Sequence, residues 1–239
     1  MKRQTKPAIW AGVLARVCLV AGLAWLLGLN PTPQVLRQAR LGYVRAVEAG
    51  AAALAANSLE QAAAYQPWRV DLEVAAARYR LQVGDLAGVT AYLGSPQVKE
   101  SFTGEDWLRL GDATLASGDP QQAEAAWQQG LEAGGAALEL NDRLHSLYLS
   151  QGNYPAAVEA LRLTLRLQPD APGRAYRLGL YLAALQPAEA LVYLELAARD
   201  PALAARAGEL QRTIRTAELE GEPAYTHLQA GRQLASLGE

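Results

Sequence analysis

The chain is poor in residues that do chemistry and in residues that build sheets. It has one Cys, Cys18, in 239 residues. No intrachain disulfide is possible, and no thiolate metal site can be built. His occurs twice, at 145 and 227. Two His and a distant Cys offer none of the spacings by which zinc gathers three or four ligands. No metal and no cofactor is therefore expected. There is one Phe and one Met. Val and Ile are sparse beside Ala and Leu, which favours helices over strands. Lys is confined to positions 2, 6 and 99, so Arg carries nearly all the positive charge. The net charge of −2 provides no basic face of the kind nucleic acid needs, and nucleic acid is not an expected partner.

One long apolar run is present. Lys2, Arg3 and Lys6 form a cationic tail over residues 1–7, and "AIWAGVLARVCLVAGLAWLLGL" follows at 8–29. That run has about the 20 residues a bilayer-spanning helix needs. Arg16 interrupts it, and a central Arg costs roughly 2.5–3.5 kcal/mol on insertion. Its apolar neighbours offset that cost, and its stem can snorkel. Trp10 and Trp25 sit near the two ends, where aromatic anchors meet the membrane interface. Asn30-Pro31-Thr32-Pro33 ends the helix and opens a linker over 30–35. A cleaved signal peptide is the main alternative, with Gly22-Leu23-Ala24 as a small-x-small site, but Arg16 breaks the apolar stretch it requires. A buried core helix is a second alternative, although soluble helices are rarely apolar all round. The expectation is a single-pass anchor in the cytoplasmic membrane. The cationic tail favours an N-terminus inside, Arg37, Arg40 and Arg45 beyond the run pull the other way, and most of the chain is expected outside the cytoplasmic membrane.

The remainder keeps a beat. Gly50, Gly84, Gly118 and Gly152 recur every 34 residues. Leu110, Leu144 and Leu178 keep the same interval, as do Leu59, Leu93, Trp127 and Leu161. Ala55, Ala123 and Ala157 fall on it, and Pro67 and Pro169 are three periods apart. A repeat of this length marks a stacked array. Within a unit the apolar spacing is helical: Leu140, Leu144, Leu147 and Tyr148, then Ala157, Leu161, Thr164 and Leu165. The Gly falls where a first helix closes. Pro155 suits the first turn of the second helix, and Pro169 ends that helix. Each unit is thus an antiparallel helical pair that must stack on a neighbour to bury its apolar face.

These residues resemble the tetratricopeptide repeat (TPR) family. Residues 104–137 match at Trp107, Leu110, Gly111, Gly118, Ala123 and Trp127. Residues 138–171 match at Leu144, Tyr148, Gly152, Ala157, Leu161 and Pro169. Residues 36–69 and 172–204 match at fewer positions, the latter with one residue deleted near Gln186. The resemblance implies an all-α fold. It would be a right-handed α-solenoid of about five TPR-like hairpins (36–69, 70–103, 104–137, 138–171 and 172–204), preceded by the transmembrane helix. Residues 205–239 would add C-terminal helices. "AYTHLQAGRQLASLGE" reads as the first helix of a partial sixth repeat, whose Ala and Leu face calls for a partner or for a continuation of the array.

Three departures stand out. Pro96 cuts short the second helix of 70–103, and "GSPQVKESFTGED" at 94–106 reads as a loop offering Phe102 as a docking point. His145 stands where Gly111 and Gly179 stand in the neighbouring units, which crowds a close helix contact. The sixth unit supplies one helix, with Gly231 and Gly238 at the family's two glycine positions, and residues 202–219 add a further charged helix between it and the fifth unit.

The resemblance also implies a function. First helices line a groove that captures a protein segment. Arg109, Arg143 and Arg177, each 34 apart, would face that groove with Asp112, Asp142 and Tyr176 nearby. Guanidinium groups so spaced can clamp acidic side chains bidentately. Alternatively, each Arg pairs with a neighbouring Asp at the surface. No Ser or Cys nucleophile is placed with either His, so catalysis is not expected. The expected role is a membrane-anchored scaffold that binds a protein partner and helps assemble a membrane complex. The alternative is a fixed subunit of such an assembly, held through its outer face and its membrane helix.

Overall fold

Among the described residues there is no strand; every regular element is an α-helix. The structure is a computed structural model that describes residues 16–20, 32–220 and 223–236. Of the expected anchor at 8–29, only 16–20 fall within this set, and they are helical and exposed. Trp10 and Trp25 lie outside it. No helix of the described residues is long and apolar enough to cross a membrane.

The chain divides into two units, residues 1–101 and 102–239. In the first, α1 (Thr32–Glu48) pairs with α2 (Ala52–Tyr65), and α2 packs in turn on α3 (Val70–Gln82). The short helices α4 (Leu86–Leu93) and α5 (Pro96–Ser101) lie against α3. In the second, α6 (Gly104–Ala116) pairs with α7 (Pro120–Ala133), α8 (Ala137–Ser150) with α9 (Tyr154–Leu167), and α10 (Pro172–Leu185) with α11 (Pro187–Ala197). Two further helices follow, α12 (Pro201–Glu220) and α13 (Pro223–Ser236).

The glycine beat is a conformational one. Gly50, Gly84, Gly118 and Gly152 have φ of +65°, +75°, +89° and +69°, the left-handed region that glycine enters without a Cβ penalty. After Gly84, Gly118 and Gly152 the next residue is Asp85, Asp119 or Asn153. Its backbone N–H reaches back to Arg80 O, Thr114 O or Tyr148 O. Its side chain then accepts the N–H of Gly88, Gln122 or Ala156. A two-residue Gly-Asx joint thus closes one helix and caps the next. Ala51, after Gly50, offers no side-chain cap.

Two hairpins of the second unit close at a glycine, Gly111 on α6 and Gly179 on α10. A Cβ placed on Gly111 would lie 2.2 Å from Trp127 Nε1. Trp127 is fully buried, and its Nε1–H donates to Leu108 O at 3.3 Å. At Gly179 the nearest atom is Leu194 Cγ at 2.7 Å, part of a flexible side chain. His145 occupies the equivalent position in α8 without breaking the packing. It is buried, its Nδ1–H donates to Ala157 O at 2.9 Å, and its ring meets Tyr181 edge-on at 5.9 Å.

Residues 94–106 are not the expected loop. Pro96 ends one helix by starting another, α5, because proline fits a first helical turn. Thr103 then caps α6 in a reciprocal box: its Oγ1 accepts Asp106 N–H, and an Asp106 carboxylate oxygen accepts Thr103 N–H. Phe102 is 2% exposed and packs edge-on against Trp107 at 5.6 Å. It is a core residue and offers no docking point, which corrects the expectation from sequence.

The packing at Gly111 sets a measurable asymmetry. Gly111→Ala is expected to lower stability in urea unfolding by about 1–3 kcal/mol, the range for overpacking against a rigid ring. Gly179→Ala is expected to cost less, because Leu194 can change rotamer.

Candidate recognition surface

The first helices of the second unit, α6, α8 and α10, present equivalent positions 34 residues apart. One face carries Leu108, Asp112 and Leu115 on α6, then Asp142, Ser146 and Leu149 on α8, then Tyr176, Leu180 and Ala183 on α10. Spacings of four and three place each trio on one side of its helix. Asp112, Asp142 and Ser146 share this face on α6 and α8 with Leu108, Leu115 and Leu149, whereas α10 presents Tyr176, Leu180 and Ala183.

Two of the predicted groove residues meet directly. Arg143 on α8 reaches back to Asp112 on α6 in a two-pronged pair, Nε to Oδ1 at 2.9 Å and Nη2 to Oδ2 at 3.2 Å. This bond holds the Arg143 guanidinium above its usual pKa, against a smaller lowering by desolvation. Arg174 on α10 repeats the move one helix further on, its Nη2 donating to Asp142 Oδ2 at 2.6 Å. Both Arg side chains remain partly exposed, so each pair contributes only about 0–1 kcal/mol. Arg109 and Arg177 are exposed on α6 and α10. Arg174 was not among the residues singled out from sequence, because it lies three residues before Arg177 and falls off the 34-residue column.

Tyr176 departs from the expected groove edge. It is 2% exposed, and its hydroxyl donates to Gln233 Oε1 on α13 at 2.7 Å. Burial is the largest cause pushing this phenol above its ordinary pKa. Leu180 and Ala183 beside it are 1% and 2% exposed. The equivalent Ser146 and Leu115 are exposed, and Asp112 and Leu149 are half-buried. The cover over α10 is α13, which packs on both α10 and α12. Its Ala230 is buried in the same apolar cluster as Tyr176 and Leu180, and Leu234 packs against that cluster. The column Asp112, Ser146, Leu180 carries the readable signal: the third member is apolar at a position that is polar twice before.

Among the described residues no group of His, Cys, Asp and Glu could hold a metal ion. His145 is enclosed in packing and His227 lies exposed on α13.

The helical-hairpin repeat is a class of fold met in other solved proteins. A crystal structure of MamA protein aligns with a TM-score of 0.50 at 18% identity, over 70% of this chain and 92% of that one. A second MamA crystal structure aligns at 0.48 and 19% identity, over 68% and 95% of the two chains. Pseudomonas aeruginosa pilF aligns at 0.41 and 17% identity, over 87% and 94%. MamA and PilF are TPR proteins. The likeness of fold rests on the first of these alignments. No protein-family model matches the chain, and no curated protein matches it.

The Arg143–Asp112 pair is expected to show a coupling of at most about 1 kcal/mol in a double-mutant cycle of Arg143→Ala and Asp112→Ala, read by urea unfolding. Tyr176→Phe is expected to cost about 0.5–1.5 kcal/mol, the net contribution of its hydrogen bond to Gln233. A cost near zero would show that α13 does not hold that contact in solution.

Proposed function

We propose that the protein is a membrane-anchored interaction scaffold that captures a protein segment on the face of α6, α8 and α10 and carries out no reaction itself. The observation behind this reading is the repeated geometry of that face. Successive first helices present the same three positions, and arginines from the following helix brace the acidic residues among them. A braced row of charges beside an apolar end offers a partner both orientation and burial. The fold likeness to a TPR protein fits the same role, as a fold that presents surfaces rather than one reaction. The anchor is the apolar run at 8–29, with Trp10 and Trp25 at its ends. The cationic tail at 1–7 favours an N-terminus on the cytoplasmic side and repeats on the other, against the opposing pull of Arg37, Arg40 and Arg45 beyond the run.

A second reading, a fixed subunit of a larger membrane assembly, draws on the outer helices. Leu163 on α9 and Val192 on α11 are 40% and 64% exposed, apolar residues on second helices that a permanent neighbour would cover.

Two measurements separate these readings. The full chain is expected to stay with membranes through alkaline carbonate extraction, and deletion of residues 8–29 to release it. Release of the intact chain would contradict the anchor. With Arg109, Arg143 and Arg177 all replaced by Ala, partner recovery in mild detergent is expected to fall by about tenfold or more and to lose salt dependence. Unchanged recovery from that variant, with loss on Val192→Arg, would favour the fixed subunit.

A further inference from the structure

α13 lies where stacking does not require a helix. In the second unit each new first helix packs on the preceding hairpin: α8 on α7 and α6, and α10 on α9. α12 takes that place at the end of the array, packing on α11 and α10. The stacking side of the last hairpin is therefore already covered by α12. α13 turns instead onto the face that α6 and α8 leave open, burying Tyr176, Leu180 and Ala183.

Few of its described side chains are buried there. Among its described side chains only Ala230 is buried; Gln229, Gln233 and Leu234 are half-buried, and Leu228 is 50% exposed. A helix of 14 residues is marginal in water without a docking surface. Among its described side chains, α13 presents to α10 a small residue, Ala230, a hydrogen-bond acceptor, Gln233, and a leucine, Leu234, at positions i, i+3 and i+4. This is how an amphipathic helix is read in a groove. α10, in contrast, offers a preformed floor, with Tyr176 as a buried donor.

We propose that the α10 face is a helix-accepting groove, that α13 is its resident occupant, and that the partner is an amphipathic helix of the same pattern which displaces it. The partner helix carries a small residue and a leucine four apart, with an acceptor between them for the Tyr176 hydroxyl. Being tethered, α13 competes at high effective concentration, so only a partner with better apolar anchors takes its place. The proposal rests on the reading of this face as a recognition surface, and it adds which end is used and by what.

The test uses the full chain and, as probe, a fluorescent synthetic peptide of residues 223–236. In a variant with Ala230→Glu and Leu234→Asp, α13 is released, and the peptide is expected to bind at least about tenfold more tightly than it binds the unmodified chain. Adding Leu180→Glu is expected to abolish that binding. A released variant that keeps its cooperative helical melt yet binds no peptide overturns the proposal. Equal binding to the unmodified chain also overturns it. So does a concentration-dependent dimer of the unmodified chain that dissociates in the variant, since that places another copy's α13 in the groove. Amide exchange of the unmodified chain is the second measurement, and it stands even where the variant fails to fold. α13 amides are expected to exchange at least about tenfold faster than those of α10 and α12, and exchange at one common rate overturns the proposal. Neither measurement involves a cellular partner or the membrane, so failure of the scaffold reading would show separately, in partner recovery and extraction.

Discussion

A helical hairpin of this chain has more apolar surface than its own two helices can cover. That constraint organises everything else. The inner seam closes where one helix lacks a side chain, as at Gly111 beneath Trp127, and the remaining apolar side must lie on another helix. α8 supplies it for the hairpin of α6 and α7, and α12 supplies it for the hairpin of α10 and α11. Polar residues can then be spent on the faces that stacking leaves open, and on α6 and α8 they are: Asp112, Asp142 and Ser146. On α10 the same positions are apolar, and α13 covers them. In the column Asp112, Ser146, Leu180, the apolar member is also the one that α13 covers.

Charge follows the same geometry. Arg143 and Arg174 each reach back one first helix, to Asp112 and Asp142. In the first unit Arg80 on α3 does likewise with α2, donating to Glu60 through Nε and Nη2, both at 2.9 Å, and to Asn57. At the outer side, Arg162 on α9 reaches Glu189 and Gln186 at the start of α11. Partly exposed pairs of this kind contribute little stability. Their geometry instead marks how each helix sits against the one it reaches.

Much of this was legible in the sequence because the repeat is a backbone phenomenon. A glycine needed at positive φ and an Asx needed as a cap leave marks every 34 residues, and the joints after α3, α6 and α8 carry both. Pairing of Arg143 with Asp112 matches the alternative reading of the arginine column, in which each Arg meets a neighbouring Asp. What could not be read depended on surroundings that the period does not encode. Phe102 looked exposed because Pro96 suggested a loop, whereas the proline opened α5 and a Thr103–Asp106 box started α6 directly behind the phenylalanine. Tyr176 shared a face with the arginines, but its burial depends on α13, some fifty residues later in the chain. Leu180 signalled that cover by being apolar in a polar column.

The central claim is that α13 is held on the α10 face by a few side chains and leaves it when they are changed. Spin labels at Ser146→Cys on α8 and Arg232→Cys on α13, in a Cys18→Ser background, report it directly by pulsed electron–electron distance measurement. Both sites are exposed. The account predicts one narrow distance population for the otherwise unmodified chain, replaced by a broad one when Ala230→Glu and Leu234→Asp are added. A broad distribution before those substitutions, or a narrow one that survives them, would contradict it.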